Sequence, residues 1–377
     1  MTGPLSGLRI IEFAGLGPGP FAGMMLADHG AEVIRIDRLG AGSNPLDALA
    51  RNRRSIALDM KQPEAHTIAL KLCESADAII EGYRPGVMEK LGLGPDVLLA
   101  ANPNLVYGRM TGWGQYGPYA NAAGHDINYI ALSGVLHTIG PAGRKPTVPM
   151  NYVGDFGGGG MMLAFGMVSA LLAVKAGTAK GQVIDCAMTD GSALIAAMTW
   201  SFYAQGSHAD QGGVNLLDGG AHFYDTYACS DGKFISIGSI EPQFYALLRE
   251  KTGLADDPDF DAHFDAKRWT NCKAKLAAII AQKTRDEWCA LMEMTDVCFA
   301  PVLSLEEAPK HPHNVARETF VTVGSAVQPA PAPRYSATPT AYPRAAAPVG
   351  SDSDSLLTEL GYDADQIAKL QASGSLA

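Results

Sequence analysis

Residues 8–36 read LRIIEFAGLGPGPFAGMMLADHGAEVIRI, and this stretch decides the fold. Leu8-Arg9-Ile10-Ile11-Glu12-Phe13 is a short run of β-branched, aliphatic and aromatic residues, the composition of a strand. A glycine–proline loop follows, then a helical stretch near Phe21 to His29, then a second strand, Glu32-Val33-Ile34-Arg35-Ile36. A strand, turn, helix and strand within about thirty residues form a βαβ unit, whose two strands lie parallel.

Outward from this unit the alternation continues. Ser55 to Leu58 is a third strand, and Pro63 suits the first position of a helix that runs to about Glu74. Ala76 to Glu81 is a fourth strand, Pro85 opens a short helix, and Leu105 to Met110 is a fifth strand. Val183 to Cys186 and the helical stretch after Ser192 resume the pattern. The expected fold class is α/β, with a large doubly wound, Rossmann-like parallel-sheet domain over 1–195. The character changes near Gly219. Phe223 to Cys229 and Phe234 to Ile237, joined by Ser230-Asp231-Gly232, read as a hairpin. Helices follow at about 242–251, 268–283 and 285–294, so 222–303 forms a smaller α+β domain between linkers 196–221 and 304–329. Gln328 to Pro348 is rich in Pro and Ala and reads as an extended connection. The segment 330–377 is expected to return to the large domain, ending in two short amphipathic helices broken at Gly361.

Composition narrows the function. The 377 residues are 47% hydrophobic, enough for two or three domain cores, and the net charge of −10 leaves no basic arm for nucleic acid. The six cysteines form no C-x-x-C pair and read as buried thiols in a reducing, cytoplasmic compartment. Met1 to Gly7 has no charged start before a long apolar run, so no signal peptide is expected. Met161 to Val174 is short for a bilayer span and reads as a core helix, and no membrane association is expected.

Gly17-Pro18-Gly19-Pro20-Phe21-Ala22 with Asp37 matches the dinucleotide fingerprint. The fingerprint works through loop N–H groups, and Pro18 and Pro20 have none. A nicotinamide cofactor is therefore not expected. Asp155-Phe156-Gly157 resembles a kinase triplet but lacks the accompanying catalytic loop. His311-Pro312-His313 lacks further ligands and reads as a solvated turn, so no metal is expected.

Two polar, glycine-rich stretches remain: Gly124-His125-Asp126-Ile127-Asn128-Tyr129, and Asn151 to Phe156 followed by four glycines and a long helix. Glycines at a helix start either let a ligand approach the backbone or admit a close-packed neighbour. Arg38, Lys61 and Tyr83-Arg84 each follow a strand, where open parallel sheets bind ligands. Arg51, Arg53 and Arg54 add charge for the phosphates of a nucleotide-like ligand.

These two stretches resemble α-methylacyl-CoA racemases of the family III (class III) CoA-transferase superfamily. So do Met110 to Gln115, Glu81 to Gly86, Leu217 to Ala221 and Glu241 to Tyr245, a match running from about residue 4 to about 320. The resemblance implies an isomerase of lipid and fatty acid metabolism that interconverts (R)- and (S)-2-methylacyl-CoA by 1,1-proton transfer through an enolate. It implies that His125 and Asp155 are the acid/base pair, supported by Asn151 and Glu241. Substrate contacts would come from Arg38, Leu58, Asp59, Met60, Lys61, Gly82, Tyr83, Arg84, Lys90, Gly124, Asp126, Ile127, Asn128 and Tyr129. Lys90 stands where the family pattern has arginine. The enolate oxygen is expected at the Asp155 N–H and the helix N-terminus behind it. The alternative is a CoA transferase with Asp126 as acyl-accepting nucleophile. No cofactor is implied, since the CoA thioester is the substrate. An interlocked homodimer is implied, with Glu241 reaching the pair of the other chain. Met161, Met162, Met188 and Met198 are candidates for the acyl-binding surface.

Overall fold

The computed structural model describes residues 2–376, and the chain divides into two compact units. The first comprises the chain up to Ser133, Met150–Ile195 and everything from Ala316 onwards; the second comprises Gly134–Pro149 and Ala196–Val315. The stretch 134–149, expected in the large domain, thus belongs to the second unit. So do 196–221 and 304–315, expected as linkers, while 316–329 belongs to the first.

In the first unit, six strands form one parallel sheet: β1 (Arg9–Phe13), β2 (Glu32–Arg38), β3 (Arg54–Leu58), β4 (Ala78–Glu81), β5 (Val106–Thr111) and β6 (Val183–Ala187). Their order, β3-β2-β1-β4-β5-β6, reverses between β1 and β4. Successive residues of β1 feed opposite faces. Ile11 and Phe13 join Ile34, Ile56 and Ile79 on one side, and Ile10 joins Val33, Ala78 and Val106 on the other. Helix Pro63–Glu74 and the C-terminal helices Ser353–Glu359 and Ala364–Ala372 cover the first face, through Ile68, Leu72, Leu356, Leu357 and Leu370. Helices Pro18–Asp28 and Met162–Lys175 cover the second, through Leu26, Leu163 and Met167. Each such fully buried side chain contributes about 1.5–3 kcal/mol.

Buried arginines stitch the connections to this sheet. Arg53, at the start of β3, pairs with Glu12 at 3.0 Å and donates to the Pro20 carbonyl. Arg51 pairs with Asp28 at 2.5 Å and donates to the Pro329 carbonyl at 2.7 Å. Arg54 binds Glu32 and Glu359. None of the three is free for a phosphate, which corrects the expectation from their clustering: the partners lie far away in sequence. The Pro/Ala stretch is likewise held. It begins in a hairpin, β10 (Phe320–Val323) and β11 (Ala326–Pro329), and three hydrogen bonds join Asn52 and Arg344.

Of the cysteines, four are buried, Cys289 is half-buried and Cys298 is exposed, which corrects the uniform burial expected. Helix Met162–Lys175 continues a π-helical segment, Tyr152–Met161, making one apolar stretch of 24 residues, long and apolar enough to cross a membrane. Leu163, Ala164, Met167, Ala170 and Leu171 are its buried face.

The second unit holds an antiparallel sheet, β7 (Tyr224–Ala228), β8 (Phe234–Gly238) and β9 (Phe299–Val302), in the order β7-β8-β9. The hairpin is as read; β9, whose burial alternates weakly, escaped notice. Helices Pro242–Thr252, Ala266–Ile280 and Arg285–Met292 pack on it. Gly253 ends the first in a left-handed turn, and the Thr284–Glu287 capping box opens the last. Phe223, Phe260, Trp269, Leu276 and Trp288 fill the core.

His222 lies fully buried in that aromatic core, with Nε2 2.8 Å from the Tyr245 hydroxyl and Nδ1 without a hydrogen-bond partner among the described residues. Burial, with His263 and Lys273 adding to it, pushes its pKa down to about 4. Unfolded, the imidazole titrates near 6.5. The unfolded chain therefore takes up the proton first as pH falls. Stability is whole above about pH 6.5, drains between there and about 4, and loses about 3 kcal/mol in all. Urea unfolding at pH 7 and pH 4.5 checks this: His222→Gln should remove most of this acid-dependent loss, and a variant as acid-sensitive as wild type assigns it elsewhere.

Candidate active site at the carboxyl edge of the parallel sheet

Where strand order reverses, the loops after β1 and β4 part, and a crevice opens at the carboxyl ends of the strands. A cavity of about 640 Å³ lies there. Phe13 and Gly15–Pro20 line it after β1, Gly82–Pro85 after β4, and Met110–Trp113 at the end of β5. Ala122–His125, Asn128, Tyr129, Asp155 and Met188 complete the wall. Of the sequence-derived residues, the structure therefore gathers His125, Asp155, Gly82, Tyr83, Arg84, Gly124, Asn128 and Tyr129 in one cavity.

His125 is exposed and caps the helix Asp126–Leu132. Its N–H donates to the Asn128 side-chain oxygen at 3.0 Å. The preceding Gly124 is wedged: a Cβ there would stand 2.8 Å from Tyr129 and 2.9 Å from Trp113, and the Tyr129 hydroxyl donates to the Gly124 carbonyl. Backbone and rings thus hold the imidazole's root.

Asp155 sits in the π-helical segment, an uncommon conformation that recurs at functional sites. The glycines after it answer the question left by the sequence. Cβ atoms on Gly158, Gly159 and Gly160 would stand 2.6 Å from the Ser192 nitrogen, 2.8 Å from Met188 and 2.7 Å from Phe21. They admit close-packed neighbours, helices Pro18–Asp28 and Met188–Ile195, rather than a ligand. Gly17, at φ 68°, comes so close that its own Cβ would meet the Asp155 carboxylate at 3.1 Å. Asn151 donates to Asp155 Oδ2 at 3.0 Å. Burial raises the Asp155 pKa; Asp126 adds to the rise, and the Asn151 bond and His125 oppose it.

Several expectations change. The Asp155 N–H donates to Asp126 Oδ1 at 2.6 Å, so it is not free for an enolate oxygen. Asp126 is 6% exposed and outside the cavity wall. Leu58 is 1% exposed, packed in the core and bridged to Leu376, and offers a ligand no side chain. Met60 packs on the same core, and Asp59 turns the chain by accepting the Lys61 N–H. Ile127 is exposed beside His125, off the wall. Glu241 and Met198 belong to the second unit, where Glu241 caps the helix Pro242–Thr252. Met162 packs on the core and Met161 is half exposed, leaving Met188 alone of the four methionines in the wall. His311 is bonded to Glu293 at 2.8 Å. Asp37 is buried against Arg35 and Ser55, away from any ribose.

Arg38, Lys61, Arg84 and Lys90 are all exposed, and among the described residues none has a carboxylate partner. The first three follow β2, β3 and β4 at the carboxyl edge. Met110 and Trp113 were missed as wall residues, although the carboxyl-end rule applied to β5 reaches both.

This architecture and these residues have relatives. An α-methylacyl-CoA racemase of Mus musculus is 45% identical over 371 residues, covering 98% of this chain and 96% of that protein. An α-methylacyl-CoA racemase of Homo sapiens is 42% identical over 370 residues, with the same coverage. The crystal structure of a CAIB/BAIF family protein from Brucella suis superposes with a TM-score of 0.82 at 24% identity, covering 96% of this chain and all of that one. The model of CoA-transferase family III matches residues 5–353, and the chain is a member of that family.

Proposed function

We propose that this enzyme is an α-methylacyl-CoA racemase, interconverting (R)- and (S)-2-methylacyl-CoA by 1,1-proton transfer through an enolate, with the CoA thioester as substrate and no cofactor. The reading is carried by one observation: His125 and Asp155, from separate elements, line the same cavity of a chain so similar to two such racemases. Racemisation needs a base on one face of the α-carbon and an acid on the other. In one direction the His125 imidazole takes the α-proton and the Asp155 carboxyl delivers its own to the opposite face; the reverse direction exchanges the roles. Burial raises the proton affinity of the Asp155 carboxyl, the direction that suits a proton donor.

The enolate oxygen needs a donor other than the Asp155 N–H. The N–H of Asp126, on the peptide that joins it to the wall residue His125, has no acceptor among the described residues and is assigned as the oxyanion donor. The unpaired cations Arg38, Lys61, Arg84 and Lys90 are assigned to the CoA phosphates. Were the chain a transferase, its nucleophile would be the carboxylate with access to the cavity, Asp155, and not the buried Asp126. Its thiols, all unbonded, suit a reducing cytoplasm.

The active unit is assigned as an interlocked homodimer. Support comes from the outer stripe of the long helix, where Met161, Phe165, Val168 and Leu172 are 50%, 74%, 37% and 68% exposed at helical spacing. Apolar surface of this kind is normally covered by a partner.

Purified enzyme in deuterated buffer should racemise 2-methylacyl-CoA and take deuterium at C2 without an acceptor acid; a requirement for an acceptor sinks the reading. His125→Ala and Asp155→Ala should each lower the rate by on the order of 10² or more, with acyl-CoA binding retained. A rate within a few-fold of wild type removes that residue from the pair.

Asn151→Ala removes a bond that favours the charged form of Asp155, so the carboxyl should hold its proton to higher pH. The acidic limb of the kcat/KM profile should move upward; an unmoved limb means that limb does not report Asp155.

Differently tagged dimers mixed in native buffer should not exchange chains over days, because threaded subunits separate only by unfolding. Free exchange, or an active monomer, overturns the interlocked assignment.

A further inference from the structure

Asp126 has an environment that none of the roles above explains. It is 94% buried, yet its Oδ2 has no hydrogen-bond partner among the described residues. Its Oδ1 accepts the Asp155 N–H, joining the first residue of one helix to the π-helical segment. Gly154 leaves room for this, since a Cβ there would stand 2.5 Å from Oδ1. A buried carboxylate with one bare oxygen is costly to keep, and such a group in a native fold calls for a reason.

The reason lies in what the bond connects. His125 and Asp126 are adjacent, and the Asn128 side chain fixes the backbone of the first. One helical turn therefore holds the backbone of His125 and, through Asp126, that of Asp155. We propose that Asp126 is a positioning residue: through its bond to the Asp155 N–H it fixes the backbone of Asp155 so that its carboxyl faces the cavity. As a neighbouring carboxylate it also opposes loss of the Asp155 proton. The racemase reading gives that proton its meaning; the geometry stands without it.

The electrostatics agree. Asp126 strengthens the proton affinity that burial confers on Asp155, while Asn151 and His125 weaken it. Tyr129, on the same helix as Asp126, has its own pKa raised by burial and by both carboxylates. The other ionisable side chains on elements packed against the π-helical segment are Asp28, Tyr107, Arg109, Lys175, Asp185, Cys186 and Asp190, and none of them shifts Asp155.

The test is a ¹³C-carboxyl NMR titration of Asp155, its signal identified by loss in Asp155→Asn, in wild type and in Asp126→Asn. The asparagine keeps an acceptor and removes the charge. The Asp155 midpoint should fall, and the acidic limb of the kcat/KM profile for deuterium exchange should fall with it, at unchanged KM. Asp126→Ala and Gly154→Ala, which break or crowd the bond, should lower kcat on the order of ten-fold with KM little altered. An Asp155 midpoint that stays in place in Asp126→Asn overturns the charge role. Full kcat in both alanine variants overturns the positioning role. Abolished exchange in Asp126→Asn with the Asp155 midpoint lowered as expected makes Asp126 a catalytic group and overturns the proposal as stated. If Asp126→Asn fails to fold, Asp126→Ser, neutral and still an acceptor, is titrated in its place. The titration needs no substrate, so it reads the proposal even if wild type exchanges no α-proton, the outcome that instead sinks the racemase reading.

Discussion

The site depends on a contact between two backbones with no side chains between them. Gly158 and Gly191 meet so closely that a Cβ on Gly191 would overlap the Gly158 carbonyl, and Gly160 meets Phe21 and the Pro18 carbonyl in the same way. Helices Met188–Ile195 and Pro18–Asp28 can therefore lie directly against the segment that carries Asp155. Glycine in a helix costs about 1 kcal/mol per residue relative to alanine. A run of four is tolerated because the neighbours it admits bring the rest of the site with them. The helix at Pro18 arrives with Gly17, which touches the Asp155 carboxylate, and with the loop that forms one wall of the cavity. Phe21 packs on Phe156 at 4.8 Å between ring centroids, fixing the same junction from the side.

A second constraint is the sorting of charge. Arg51, Arg53 and Arg109 point inward and are spent on Asp28, on Glu12, and on Glu81 with Glu89. Breaking such a pair strands a charge in the interior and costs several kcal/mol, so these arginines serve the frame. The Glu81 pair also reaches the site, because Glu81 accepts the Tyr83 N–H at 2.8 Å and so holds the loop after β4. Arg38, Lys61 and Arg84, with no carboxylate partner among the described residues, stand at the carboxyl edge. An acidic protein thus keeps a local basic rim, and it does so by pairing the arginines elsewhere.

That sorting marks the limit of what was legible. The sheet was legible because parallel strands buried on both faces are continuous apolar runs, and Ile10-Ile11 or Ile79-Ile80 say so locally. The edge of the sheet that carries the cavity followed from the carboxyl-end rule, whereas the strand order that opens it did not. The fate of Arg53 was not legible, since whether it meets Glu12 or a phosphate is decided by the approach of residues 41 positions apart. Leu58 was placed among substrate contacts by the family resemblance, but a resemblance does not tell a side chain pointing into the core from one pointing out. The excursion 134–149 escaped because its Gly140-Pro141 turn reads as an ordinary loop of the large domain, and it joins the second unit only through tertiary contacts.

The same scaffold accommodates proton transfer and acyl transfer, and the environment of Asp155 bears on which chemistry it favours. A carboxylate that attacks a thioester must be ionised and must reach the carbonyl carbon. A carboxyl that returns a proton to an α-carbon must keep that proton until the enolate forms. Burial and the Asp126 charge both push Asp155 toward the second condition, against the Asn151 bond and His125. The imidazole matters as much. Acyl transfer through a carboxylate needs no second base in the wall, whereas moving a proton from one face to the other cannot proceed without one. His125 lies in that wall with its backbone held by Asn128 and its preceding glycine wedged under Trp113 and Tyr129. His125, held at its backbone, and Asp155, a carboxyl of raised proton affinity, thus stand in one wall, an arrangement that moving a proton between two faces requires and acyl transfer does not.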